Sequence, residues 1–373
     1  MKWIFRKIFK IFVSLIILVA LIVGIYVIYL TNQYYRIEDN MNYSNNIQGE
    51  NDSLVMLDKE YTITTYNIGF GAYNHDFSFF MDSGVMLDET KVSGTNSKAE
   101  SLDVVLQNTT GSIDTIFNLN PDFMFFQEVD VESTRSHKVN QYEKLTEKFD
   151  DFNSIYISNF HSGYLFYPFS DPHGKVESGI VTLSNKKIDQ VVRYKLEIDE
   201  SFPTKFFDLD RCFSASYLPI EGSQKQLVLV NVHLSAYDEG GVYRAKQWKQ
   251  LNDFFKEETD KGNYIVCGGD FNHDISNDPN FIGFETKQQK PEWVYELNDS
   301  DLVQNLGLSF QTATNAPTCR STDMPYTEGV NYTVVIDGFI TSSNVEVVLV
   351  ENIDARFLYS DHNPVMLKFR LKY

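Results

Sequence analysis

The sequence predicts an α/β domain over residues 59–373, preceded by one helix able to cross a membrane. Three observations carry this. Residues 11–30 contain no charge. From residue 61 onward, short apolar runs rich in β-branched side chains alternate with stretches of helical spacing, the pattern of sheets shielded by outer helices. Several of the apolar runs end in polar side chains capable of chemistry.

The uncharged run is twenty residues long, enough for a helix to span a bilayer. It closes on Tyr26 and Tyr29, with Tyr34 and Tyr35 just beyond, as an interfacial aromatic belt would. A cleaved signal peptide is the alternative. It predicts a shorter apolar region followed by small residues at a cleavage site, neither of which matches. Lys2, Arg6, Lys7 and Lys10 precede the run and no acid does, so residues 1–10 are expected to stay cytoplasmic and the remainder to be exported. Residues 31–58 are polar, rich in Asn and without periodicity, and are expected to form a stalk.

The formal net charge is -19. Removing the four N-terminal cations from 32 basic residues leaves 28 against 51 acidic ones. So acidic a surface repels phosphate backbones at long range, which disfavours nucleic acid as a partner and suits recruitment of a divalent cation. Cys212, Cys267 and Cys319 show neither CxxC nor zinc-like spacing and are expected as small buried hydrophobes, with one disulfide left open. The aromatic content of 14% supports a large core, expected as one monomeric catalytic domain.

Element by element, residues 61–68 alternate apolar and polar and read as a strand. Residues 97–118 have helical spacing through Leu102, Val105, Ile113 and Ile116, with a break expected at Gly111. Residues 123–126 follow a Pro121-Asp122 turn as a buried strand, and 139–149 read as a helix. Strands are expected at 179–183, 191–196, 213–218 and 227–232. A helix over 242–258 aligns Trp248, Leu251 and Phe255 on one face. Late strands are expected at 334–340, 345–350 and 365–371.

The most informative stretch is 264–274, an apolar strand broken by Gly268 and Gly269 and followed by Asp270 and Asn272. In extended backbone, residues two apart point the same way, so a carboxylate and a carboxamide would face one spot. A turn closed by Asp or Asn explains the same residues without chemistry. Other apolar runs end similarly: in Asn67, in Glu128 and in His233. Asp337 stands within Val-Val-Ile-Asp-Gly-Phe-Ile, and Asp361 with His362 precedes the last strand. Each alone is explained by ordinary hydrogen bonding of a buried polar group. Six such sites at the ends of six runs point to a common centre.

In this order, Tyr-Asn67, Gln-Glu128, Asn-x-His233-Leu, Gly-Asp270-Phe-Asn272, Ile-Asp337 and Ser-Asp361-His362 resemble the endonuclease/exonuclease/phosphatase superfamily. That superfamily includes deoxyribonucleases, abasic-site endonucleases, neutral sphingomyelinases and inositol polyphosphate 5-phosphatases. The resemblance runs from about residue 59 to the C-terminus. It implies a four-layer α/β sandwich, with two central, mostly antiparallel sheets flanked by helices. Abasic-site endonucleases carry Asp two residues after the first Asn. Here that position is Gly69, which weakens a DNA-repair reading.

Hydrolysis of a phosphate ester requires neutralised phosphoryl oxygens, an in-line nucleophile and a stabilised leaving oxygen. Glu128 is the candidate Mg²⁺ ligand with Asn67 beside it, Mn²⁺ or Ca²⁺ being substitutes, since Mg²⁺ takes one or two carboxylates plus waters and phosphate oxygens. The resemblance implies Asp270 as the base for water, Asn272 as its positioner, and His362 as a phosphoryl donor whose tautomer Asp337 holds. It implies Asp361 as an aid to the metal or to His233, and His233 as a donor to the phosphate or leaving group. Arg211 is a candidate phosphate binder, or else the partner of Asp208 or Asp210.

The expected activity is therefore that of a membrane-anchored, extracytoplasmic, metal-dependent hydrolase of a small-molecule or lipid head-group phosphate ester. An extracellular nuclease of the same superfamily and a non-catalytic surface-binding protein are the alternatives. Two long segments, 74–96 and 161–177, are rich in aromatics. They are expected either to contact substrate or lipid or to pack beneath their own loops.

Overall fold

The computed structural model describes residues 2–236, 238 and 241–373. Two sheets face each other. One has six strands in the order Val345–Asn352, Val365–Leu371, Glu60–Asn67, Phe123–Asp130, Glu177–Ser184, Asn153–His161. The other has seven, in the order Met41–Asn42, Gln190–Lys195, Cys212–Pro219, Gln226–His233, Tyr264–Asp270, Asp337–Thr341, Ser309–Gln311. Side chains of alternate residues, among them Ile63, Phe125, Ile157, Leu229, Val266 and Phe339, fill the space between the sheets. Helices Leu102–Phe117 and Gln141–Lys148 cover the six-stranded sheet through Ile113, Ile116 and Leu145. Helix Val242–Asp260 covers the seven-stranded one through Trp248, Leu251 and Phe255. The result is the four-layer α/β sandwich.

Among the described residues each large sheet contains one parallel pair, Glu60–Asn67 with Phe123–Asp130 and Gln226–His233 with Tyr264–Asp270. Parallel neighbours need a crossover, and a long helix supplies each one: Leu102–Phe117 in the first case and Val242–Asp260 in the second. These four strands therefore run out of their sheets with Asn67, Glu128, His233 and Asp270 at or near their C-terminal ends.

The elements differ from expectation in several places. The helix at Gly111 continues unbroken. The expected strand 334–340 is two strands, Thr333–Val334 and Asp337–Thr341. At the break, Val335 and Ile336 turn their carbonyls to Ile275 and Phe271, and the Thr318 hydroxyl accepts from the Ile336 and Asp337 amides. Strand Asn153–His161 was not anticipated.

The segment 31–58 does not behave as a stalk in the structure. Arg36 pairs with buried Asp210 at 2.5 Å and with Glu200 at 2.7 Å. Met41–Asn42 adds an edge strand against Gln190–Lys195, and Val55 is buried in the core between the sheets. The apolar helix is Lys2–Gln33, long and apolar enough to cross a membrane, with no part of its most apolar window buried.

Candidate active site

Strand register sets the first row of side chains. His233 pairs opposite Asp270, and Asp270 opposite Asp337, so three adjacent strands present these residues in one line. Asp337 is thus the first residue of its strand rather than an interior one. Close approach of strands at this end depends on Gly269. Its φ is +146°, and a Cβ there would lie 2.0 Å from the Val232 carbonyl oxygen.

The facing sheet contributes Asn67 and Glu128. Between Phe126 and Val129 the strand bulges, and Glu128 adopts φ +53°, which re-aims its carboxylate. The Asn67 amide then donates to Glu128 Oε1 at 3.2 Å and to Asp270 Oδ2 at 3.1 Å, tying the two sheets' carboxylates together. Asn67 Oδ1 accepts from the Gly69 amide at 3.0 Å, which holds the carboxamide orientation.

Asp270 Oδ2 is the focus of the cluster. Besides Asn67, His233 Nε2 lies 3.6 Å away and His362 Nε2 3.7 Å away. Its other oxygen accepts from the Asn272 amide at 2.8 Å. Burial pushes the Asp270 carboxyl up to about 6, against the opposing influence of His362. His362 Nδ1 bonds Asp337 Oδ2 at 2.8 Å. Burial works against a charged His362, but the Asp337 carboxylate and, behind it, Asp270 hold its pKa well above that of a free imidazole. His233 has the reverse balance. Burial, with the Arg211 charge adding to it, pushes its pKa well down and keeps the ring neutral. Its Nδ1 is buried without a hydrogen-bond partner.

The sequence-derived residues do not all act as expected. Asn272 fixes Asp270 through its backbone amide. With φ +50° it has left the strand, and its carboxamide donates instead to the Leu234 carbonyl. The idea that Asp270 and Asn272 face one spot in extended backbone is thereby corrected, because the chain turns immediately after Asp270. Asp361 is half-buried beside Gly69 and near enough to push the Glu128 carboxyl up, a shift that burial dominates and Arg135 opposes. Arg211 is buried at the head of strand Cys212–Pro219, and its charge reaches His233 and Asp208.

Other contributors were missed. Arg135 is buried, bonds Asp130 with Nε at 3.1 Å and an η nitrogen at 3.0 Å, and stacks 3.8 Å over the Phe70 ring behind Glu128. Gln127 donates to Asn231 at 2.8 Å across the two sheets. The signal for Asn231 was present. It breaks an apolar run two residues before His233 and so shares its face. Arg135 lies in an irregular segment with no periodicity to mark it.

A metal could be approached from two sides. Asp270, Asp337 and His362 bring ligand atoms within 4.8 Å of one another. Glu128 has a side chain 24% exposed, which keeps it reachable from solvent, with Asn67 and Asp361 nearby. The loop aromatics divide. Phe77 is buried with Phe70 and Tyr73, whereas Phe166, Tyr167 and Phe169 are exposed. All three cysteines are buried and free.

The sequence profile of the Endonuclease/Exonuclease/phosphatase family matches residues 64–362. No curated protein matches the chain. Solved structures share the fold. An endonuclease/exonuclease/phosphatase from Beutenbergia cavernae is 17% identical with TM-score 0.53, covering 84% of this chain and 72% of that one. The human Nocturnin catalytic domain with bound sulfate is 14% identical with TM-score 0.51, covering 84% and 95%. ANGEL2, a 2',3'-cyclic phosphatase in complex with adenosine-2',3'-vanadate, is 14% identical with TM-score 0.51, covering 90% and 99%.

Proposed function

The chain belongs to the endonuclease/exonuclease/phosphatase family, whose members hydrolyse phosphoric esters, and on that footing we propose that it is a membrane-anchored, Mg²⁺-dependent hydrolase of a small-molecule or lipid head-group phosphate ester. The observation that carries this reading is the convergence on Asp270 Oδ2 of Asn67, His233 and His362, with Glu128 bonded to the same Asn67 amide.

The donor set fits a hard divalent cation. Glu128 and Asp361 bring oxygen donors together, and burial with mutual repulsion raises the Glu128 carboxyl, a penalty that a bound cation would offset. Glu128 is favoured as principal ligand over the Asp270, Asp337 and His362 trio because Asp337, bonded to His362 Nδ1 at 2.8 Å, favours the protonated ring, which offers no lone pair to a metal. Asn67 and Asp361 would complete the protein's share. Bound there, Mg²⁺ supplies charge neutralisation at the phosphoryl oxygens.

The chain's own groups divide the remaining work. Asp270, held by the amides of Asn67 and Asn272, accepts the proton of the attacking water. His362, kept protonated by Asp337, donates from Nε2 to a phosphoryl oxygen. Neutral His233 donates from Nε2 to the phosphate or the leaving oxygen. Arg211 stands behind His233, where its charge adds to burial in keeping that ring neutral, and it supports phosphate binding. No covalent enzyme intermediate is required. The N-terminal helix anchors the protein as a single span with residues 1–10 cytoplasmic and the catalytic domain outside.

The test is hydrolysis by the full-length protein in detergent micelles, with Mg²⁺ and with chelator. The substrates are bis-p-nitrophenyl phosphate, p-nitrophenyl phosphate, DNA, nucleotides, sphingomyelin and phosphoinositides. Chelator-sensitive turnover of a small or lipid ester supports the reading. DNA as the only substrate would shift it to the nuclease, and no turnover of any ester would leave a binding protein.

A further inference from the structure

Deepening the anchored reading above, we propose that the aromatic loop around residues 164–169 is seated in the lipid interface beside the exit of the N-terminal helix, so that the catalytic domain lies on the bilayer instead of standing away from it. The loop is bonded to the span itself. Tyr26 Oη donates to the Tyr164 carbonyl at 3.0 Å, and the Tyr164 amide donates to Tyr29 Oη at 2.9 Å. Phe166 meets the Tyr26 ring edge-on at 5.3 Å. Leu30 is buried against Leu165 and Phe206, and Gly163 lets the helix close in, since a Cβ there would lie 3.3 Å from Leu30.

Helix geometry fixes the depth. A helix rises about 1.5 Å per residue, so Tyr26 lies roughly 6 Å inside the end of the uncharged run at Leu30. Phe166, in contact with Tyr26, shares that level. Tyr26 opens the aromatic belt, which sits at the headgroup level, so this level falls within the bilayer interface. The side chains presented there are the ones such a level favours. Phe166, Tyr167 and Phe169 are 48%, 62% and 85% exposed, an unusual density of uncovered rings for a water-facing surface. Phe202 and Phe207, on the other loop packed against the helix, are also exposed. The occupant is therefore lipid, continuous with the lipid that covers the helix.

The contact is coupled to the catalytic site by packed rings. Tyr167 touches Phe80 at 5.8 Å, Phe80 touches Phe79 at 5.0 Å, and Phe79 touches Tyr73 at 6.3 Å. Tyr73 packs on Phe70, the ring beneath Arg135 and hence behind Glu128. Docking of the loop on lipid thus orients the wall of the site relative to the membrane.

Phe169→Cys, made in the full chain and spin-labelled, tests this in phosphatidylcholine vesicles. The native thiols are buried and would not react. Collision rates are read against oxygen, which concentrates in lipid, and against a water-soluble nickel chelate, with Lys249→Cys as the exposed control and Ile17→Cys marking the span. The expected result is several-fold fewer chelate collisions at position 169 than at 249, with oxygen collisions raised toward those at 17. If 17 is in lipid while 169 matches 249, the proposal is overturned and the anchor stands. If 169 is shielded from both reagents, a protein partner covers the loop and the lipid contact is overturned. If 17 itself meets the chelate freely, the anchored reading fails and the loop contact fails with it.

Discussion

His362 Nδ1 lies 2.8 Å from Asp337 Oδ2, and the bond joins the two halves of the sandwich. His362 precedes strand Val365–Leu371 of the six-stranded sheet, and Asp337 opens a strand of the seven-stranded one. Spanning the sheets, the bond turns Nε2 toward Asp270.

Asp337→Asn keeps the shape of that bond and removes its charge. The carboxylate holds the His362 pKa well above the free value, so imidazolium persists to higher pH than in a free histidine. The variant should show an alkaline limb of the pH–rate profile moved to lower pH, and a His362 ring signal titrating lower by NMR. A single charge-assisted contact of this kind is worth on the order of 10²-fold in turnover. An unchanged limb and rate would remove Asp337 from the mechanism.

The acid limb should report Asp270. Because burial lifts its carboxyl to about 6, it becomes protonated and loses the base role proposed for it as pH falls through that value. Turnover of the wild type should decline below about pH 6, and added Mg²⁺ should move the limb downward, since a nearby cation favours the carboxylate. Asp270→Asn should abolish the limb with the activity while its thermal midpoint stays near that of the wild type.

Glu128→Gln separates metal binding from folding. The carboxyl is raised by burial and repelled by Asp361, so its charge contributes no stability in the metal-free protein. Calorimetric titration should show Mg²⁺ affinity lost. The Mg²⁺-induced rise in thermal midpoint should vanish with it, as linkage requires. Turnover should fall on the order of 10²–10³-fold. Retained affinity would move the ligand role to the Asp270, Asp337 and His362 trio.

The segment before residue 59 should prove structural. Arg36→Ala removes an arginine facing buried Asp210, which Arg193 also meets at 3.2 Å. Because Arg193 remains on Asp210, the expected cost is about 1.5–3 kcal/mol, that of hydrogen bonds to a charged group. Chemical denaturation should show that cost. A fragment beginning at residue 59 also loses Val55 from the core and should unfold at lower denaturant than one beginning at 36. Equal midpoints would restore the reading of a passive tether.

Gly269→Ala tests the close approach of strands beneath the site. A Cβ would meet the Val232 carbonyl oxygen at 2.0 Å in a backbone conformation that L side chains avoid. Destabilisation of about 2–4 kcal/mol is expected, of the size seen for strain at a special φ. Circular dichroism melts would check it, with Gly24→Ala, where a Cβ meets nothing within 4 Å, as the control.

The sequence by itself determined the strands that end in Asn67, His233 and Asp270, the three outer helices, the uncharged run, and the identity of the polar residues that gather. These are local properties. Periodicity fixes which face of an element is apolar, and an interrupted apolar run marks where a polar side chain must find a partner. Beyond Asp337 for His362, it could not choose the partners. Only strand pairing aligned His233, Asp270 and Asp337 in one row, and only the bulge at Glu128 aimed that carboxylate at the Asn67 carboxamide on the neighbouring strand. Arg135 behind Glu128, Gln127 on Asn231 and Arg36 on Asp210 join residues far apart or in irregular segments, where no period exists to read. Register and sheet-on-sheet packing are set by contacts between distant parts of the chain. The tertiary structure therefore decided which nitrogen of His362 is free, which amide holds Asp270, and that the polar segment before residue 59 is part of the domain.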